Sequence, residues 1–175
     1  MPPIITRPNP SEHAAYYGPY IARVPGEDLL AYFRTQTHSL ASVLGVLDDV
    51  TASKRYAEGK WSVKEVASHI IDTERVFAYR AMCISRGEAQ SLPGFEENAY
   101  VANSNADARS VADLVEEYKA VRAATIALLS SLSDEMATRN GRANNNPASV
   151  RAIGYMIAGH ELHHLSVIEE RYLGR

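Results

Sequence analysis

The chain has 175 residues, 46% of them hydrophobic and 22% charged, with a formal net charge of −3. That is enough apolar material for one ordinary core, so the chain need not be disordered, and the acidic balance lacks the basic footprint that favours nucleic acid. No apolar run reaches the ~18 residues of a membrane span, and the single cysteine, Cys83, excludes an internal disulfide framework and a CxxC zinc site. The N-terminus shows no basic region followed by an apolar stretch, so no secretory signal is read and a cytoplasmic protein is expected.

Residues 1–26 carry five prolines in the first 19 positions plus Pro25. Proline fixes φ and removes a donor, so an extended arm is expected there and not a helix. Its Ile4, Ile5, Tyr16, Tyr17 and Tyr20 give it enough apolar surface to lie on the rest of the chain, 27–175, which is taken as one domain. From Glu27 to about Val50, Leu29, Leu30, Phe33, Leu40, Val43, Leu44 and Leu47 recur mostly at three- and four-residue spacing, which predicts a first helix. Ser62-Val63-Lys64-Glu65 is a capping-box pattern that opens a second helix. Val66, Ile70, Phe77 and Ile84 continue its apolar side, and Gly87 is a stop. Residues 87–109 are expected to be an irregular connection. A second cap, Ser110 with Asp113, opens a third helix over 110–132. Residues 133–147 are loop-like, and a last helix runs over about 149–172. No segment shows sustained strand alternation. Four helices of this length predict an all-α four-helix bundle with long connections.

The histidines carry the chemistry. Three of the six crowd one segment, Gly159-His160-Glu161-Leu162-His163-His164. On the last helix, Ile153, Ile157, His160, His164 and Val167 form a seam of alternating four- and three-residue steps that a bundle turns to its core. His160 and His164 then sit one turn apart on an inward face, with His163 on the neighbouring stripe. His69 follows Val66 by three residues on the second helix and shares its inward side. Buried imidazoles without partners are costly, and a metal satisfies one nitrogen of each. Three neutral imidazoles suit zinc, nickel, copper or iron. His160-Glu161-Leu162-His163-His164 also satisfies HExxH literally, with Glu161 as general base. Against that protease reading, only eleven residues follow His164 and none is an evident third ligand. The plain alternative is a set of core or surface histidines with ordinary hydrogen bonds, which is the expectation for His13 and His38. Asp72 is placed to accept from His69, or else Asp72 or Glu74 pairs with Arg75 or Arg80 on the surface. Cys83 is expected to be a small packed residue.

Lys60-Trp61-Ser62-Val63-Lys64-Glu65-Val66, His69, Asp72-Thr73-Glu74-Arg75 and Tyr79-Arg80 resemble the second helix of the DinB-like superfamily. Leu92-Pro93-Gly94-Phe95 with Tyr100, and Gly159 through His164 with Glu170-Arg171-Tyr172, resemble its next segment and its closing helix. The likeness runs from about residue 27 to the end. It implies a four-helix bundle, often a homodimer, with a divalent metal, usually nickel or zinc, on His69, His160 and His164. It also implies a thiol-dependent S-transferase that takes a small-molecule substrate and a low-molecular-weight thiol. Acidification of water at the same metal gives a metal-dependent hydrolase instead, a site without turnover gives a metal or small-molecule binder, and histidines packed in the core give a purely structural dimer. No nucleic acid or membrane partner is expected. Substrate contacts are expected from residues 87–109 and 133–147.

Overall fold

The computed structural model describes residues 3–175. In chain order, the arm leads into α1 (Gly18–Arg23), followed by α2 (Leu29–Thr35), α3 (Leu40–Leu44) and α4 (Asp49–Ala52). The long α5 (Val63–Ser85) follows, then α6 (Glu97–Ala102), α7 (Val111–Ser130) and α8 (Asp134–Thr138). A hairpin of β1 (Asn140–Ala143) and β2 (Asn146–Ser149) leads into α9 (Val150–Val167), which widens into a π-helical stretch, Ile168–Leu173. The helices make a four-helix bundle: α5 packs along α9 and α7 along α5, the broken run α2–α4 fills the fourth position, and α1 crosses α9.

The long helices start where the caps predict. The Ser62 and Ser110 hydroxyls accept from the backbone N–H of Glu65 and Asp113, and the Glu65 carboxylate returns to the Ser62 N–H. Past the end of α5, Gly87 has φ +93°, the left-handed conformation that a helix stop favours.

Three expectations are corrected. The helix expected over 27–50 is three short helices. The break at 36–39 has a physical reason: Glu161 of α9 is fully buried, and a buried carboxylate must be met by donors. It takes one from the backbone N–H of Leu40 at 2.9 Å and one from the Gln36 amide at 3.0 Å. The Leu40 N–H is free because α3 starts there, capped by Ser39. The arm is not wholly extended, since α1 forms with Pro19 in its first turn, where a missing N–H costs nothing. The loop at 133–147 contains α8 and the hairpin. Asn144 and Asn145, at φ 49° and 61°, form the two-residue turn whose positive φ values suit the strand twist.

The arm lies against the helices. Ile5 is buried and its carbonyl accepts from the Leu29 N–H. Arg7 donates to the carbonyls of Ile21, Val24 and Gly26. Glu12 is buried and paired with Arg151 and the Ser149 hydroxyl. Burial pushes its carboxyl up, but the Arg151 and Ser149 hydrogen bonds outweigh that and bring its pKa to about 2.

The core falls into two apolar halves. One gathers α1, α2, the C-terminal half of α5 and the start of α9. The other gathers α3, the start of α5, the start of α7, Leu165 and Ile168. Between them runs a polar layer with two sides, His69, His160 and His164 on one and Glu74, Arg122 and Glu161 on the other.

Candidate metal centre

Two elements build the centre. His69 comes from α5, and His160 and His164 come from successive turns of α9, the helix packed along it. The Nε2 atoms of His69 and His160 are 3.0 Å apart, and those of His160 and His164 are 3.1 Å apart. His69 is buried and the other two are half-buried. One Nε2 carries either a proton or a lone pair, so His160 cannot satisfy both neighbours well. A cation among the three satisfies all of them. Tetrahedral zinc with bonds of about 2.0–2.1 Å separates its nitrogens by roughly 3.3 Å, close to the spacing here. The donor set fits a divalent metal ion.

Electrostatics favour the ligating form. Burial pushes His69 down to about 4. Burial, then His69 and His163, push His164 down to about 3. His160 lies well below its ordinary value, from burial first and then from the other three histidines. The rings are therefore neutral at pH 7, as metal ligation requires. His163 falls outside the convergent set, with its ring edge-on to Tyr20 at 5.1 Å. His13 is buried with its Nδ1 on the Ala14 carbonyl, and exposed His38 lies 3.6 Å from Glu169. Cys83 is half-buried against the core.

Two neighbouring carboxylates take other roles. Asp72 accepts from Arg75 at 3.2 Å and not from His69, so the surface pairing prevails. Glu161 points away from the histidines. Its oxygens accept from the Tyr118 hydroxyl at 2.6 Å and from Arg122 at 2.9 Å, besides Leu40 and Gln36. Burial pushes Glu161 up, but Arg122 and these hydrogen bonds outweigh it and hold it below the usual range. A general base must reach the reacting proton. Glu161 does not, so the HExxH spacing here is not a zinc-protease site.

The histidines open into a cavity of about 310 Å³. Gly94, Phe95 and Glu97 of the 87–109 connection line it, as does Asn144 of the hairpin turn. Both loops named from the sequence therefore reach the site. The wall that the sequence did not show is the one to which Tyr16, Tyr17 and Tyr20 of the arm contribute. Gly159 permits this, because a Cβ there would stand 2.0 Å from the Tyr20 carbonyl oxygen. The signal available was the tyrosine excess, ten against three Phe and one Trp. The Trp61 ring lies 5.0 Å from that of His69, tilted by 47°, and its backbone carbonyl accepts from the Tyr172 hydroxyl at 2.6 Å. Thr73, one turn after His69, also lines the cavity, and its buried hydroxyl has no hydrogen-bond partner.

Residues 32–168 match the model of the DinB superfamily. A protein of Oceanobacillus iheyensis named a putative metal-dependent hydrolase is 23% identical over 141 residues, 80% of this chain and 81% of that one. Among solved structures, YfiT from Bacillus subtilis, described as a probable metal-dependent hydrolase with an unusual four-helix bundle topology, superposes with a TM-score of 0.67. That match has 18% identity and covers 95% of this chain and 93% of YfiT.

Proposed function

The chain belongs to the DinB superfamily, and we propose that it is a metal-dependent hydrolase acting on a small molecule. His69, His160 and His164 hold one divalent ion, nickel or zinc. The observation that carries this is the convergence of three neutral imidazoles at the wall of a cavity large enough for a small substrate. A divalent ion held there supplies Lewis acidity, enough to polarise a carbonyl or acidify water or a thiol near neutral pH. The chain does the rest. Trp61 and the arm tyrosines line the site and limit water. The Thr73 hydroxyl offers a substrate oxygen or N–H its unused hydrogen bond. The buried layer behind α9 holds His160 and His164 toward α5.

A second reading, thiol-dependent S-transfer by a homodimer, is favoured by one observation. No carboxylate joins the three histidines among the described residues, and Glu161 faces the other way, so no protein base stands in contact with them; Glu97 lines the cavity but is exposed. A thiol needs less help than water to ionise. One experiment separates the readings. Zinc- and nickel-loaded protein is assayed in parallel on aryl esters and amides, and on a low-molecular-weight thiol with a chlorinated electrophile. Chelator-sensitive ester or amide cleavage supports the hydrolase, chelator-sensitive thiol conjugation alone supports the transferase, and chelator-resistant turnover refutes both. Sedimentation of the same samples reports the dimer.

A further inference from the structure

Arg80 is a buried charge without a counter-charge. It is 5% exposed. The other buried charged side chains among the described residues are paired: Glu12 with Arg151, Lys64 with Asp49, and Arg122 with both Glu74 and Glu161. No carboxylate lies within ion-pair distance of Arg80 among the described residues. One guanidinium nitrogen donates to the Pro93 carbonyl at 2.7 Å, which uses one of five N–H donors. The guanidinium lies 5.4 Å from the centre of the Phe77 ring and 5.8 Å from that of Phe95. Leaving a charge in such surroundings is costly unless something meets it.

That something has room, because Arg80 lines the same cavity as the histidines. His69, Thr73, Phe77 and Arg80 follow one another at steps of four, four and three along α5, so all four lie on one face. The cavity is thus a trough along α5, with the histidines at one end and Arg80 at the other, three turns or about 16 Å of axial rise away. The Arg80 stem leans back toward the helix N-terminus, which shortens the gap between the two chemistries. Between them stand the Phe77 ring and the unpartnered Thr73 hydroxyl.

We propose that Arg80 is an anion subsite that selects small aryl or arylalkyl carboxylates, holding the carboxylate while the rest of the ligand lies along Phe77 and Thr73 toward the histidines. This rests on the hydrolase reading only in placing the reacting bond at the histidine end. A single guanidinium with one donor already committed, in an aromatic setting, matches a monoanionic carboxylate better than a phosphate dianion, which needs more cations and donors. Glu97 also lines the cavity, but it is exposed and outside ion-pair distance of Arg80.

The test uses the full-length zinc-loaded protein and a pair of probes, 4-phenylbutyrate and its neutral amide. Trp61 is the single tryptophan and lines the cavity, so its fluorescence reports binding, and calorimetry checks it. Wild type is expected to bind the carboxylate about 10–100-fold more tightly than the amide, the scale of a charge-assisted pair. Arg80→Met should abolish that preference and leave amide binding and zinc content nearly unchanged, while Arg80→Lys should keep part of it. Equal binding of the two probes by wild type overturns the proposal, a result that needs no variant to fold. So does a preference that survives Arg80→Met but disappears in His160→Ala, because the metal would then be holding the carboxylate. Weakening of both probes equally by Arg80→Met also overturns it, assigning Arg80 to the Pro93 loop alone. Carboxylate preference without ester or amide turnover supports the subsite and refutes the hydrolase reading, whereas turnover without the preference does the reverse.

Discussion

Arg122→Met tests the polar layer that divides the core. Arg122 is almost fully buried and donates to Glu74 through two nitrogens at 2.9 Å, to Glu161 at 2.9 Å and to Gln36 at 3.0 Å. Its guanidinium lies over Phe33, 4.4 Å from the ring centre. Methionine keeps much of the apolar volume and removes the cation. Two carboxylates whose side chains are 2% and 0% exposed then lose their counter-charge. Breaking a buried pair from one side costs about 3–5 kcal/mol, which for a chain of this size lowers Tm by roughly 6–20 °C.

The same variant has a pH signature. In the wild type the Glu161 carboxyl is held low, so its contribution to stability is present above the unfolded value near 4.5 and is lost as pH falls through the folded one. Without Arg122 the sign reverses. Burial then raises Glu161, the folded state binds a proton more readily than the unfolded chain, and the deficit shrinks as pH drops from 7.5 toward 5. The assay is thermal and urea denaturation of chelated wild-type and variant protein at pH 7.5, 6 and 5, so that histidine titration is common to both. A Tm difference below about 3 °C, or one that does not narrow toward pH 5, refutes the reasoning.

Metal analysis of untagged protein should find His160→Ala and His164→Ala stripped of most bound ion and His163→Ala close to wild type. The reverse result for His163 and His164 would mean that α9 is rotated from the orientation described. Because burial holds His69 near 4 and His164 near 3 against an unfolded value of 6.5, the unfolded chain takes up protons that the folded one refuses. Stability of the chelated protein should therefore fall as pH drops from about 6.5 toward 4, and urea midpoints that stay flat over that window would contradict the burial of these rings. Gly159→Ala should cost about 1–3 kcal/mol as α1 is forced off α9; its readouts are Tm and the rate of tryptic cleavage after Arg23, and an unchanged rate would mean that the arm does not depend on that close approach.

What could be read from the sequence was whatever depended on local pattern. The two serine caps, the phase that turns His160 and His164 inward together, and the placing of His69 on the facing helix are all short-range regularities. The break at 36–39 was hard to read because part of its cause is distant. Within 27–50 the only local marks of the breaks are Ser39 and Asp48, which cap α3 and α4 but which the apolar spacing outweighs. The distant part is Glu161, more than a hundred residues on, which needs the Leu40 N–H and the Gln36 amide. The tyrosine wall of the cavity was hidden similarly, since the arm prolines correctly argue against a long helix but do not tell where the tyrosines land. From sequence Arg80 reads as a partner for Asp72 or Glu74, and Glu74 goes instead to Arg122. The isolation of Arg80 follows from that pairing together with the three-dimensional fact that Asp72 goes to Arg75.

The adjacency of His160 and Glu161 makes the fold and the site one problem. Successive helical residues point about 100° apart, so the two side chains serve different neighbours. Glu161 is held from two directions, by Gln36 and Leu40 on one side and by Tyr118 and Arg122 of α7 on the other. Those contacts fix the rotation of α9 about its axis. The rotation matters because imidazoles stand roughly 5–6 Å from that axis, where a turn of 20° moves a ring by about 2 Å. A metal site tolerates displacements of only about 0.5 Å. Packing of Ile153 and Ile157 alone would not set the angle so narrowly, since apolar contacts are non-directional. A carboxylate with fixed donors does. The glutamate of this HExxH segment thus contributes through the orientation of its neighbours, and the buried charges behind α9 belong to the same construction as the three nitrogens in front of it.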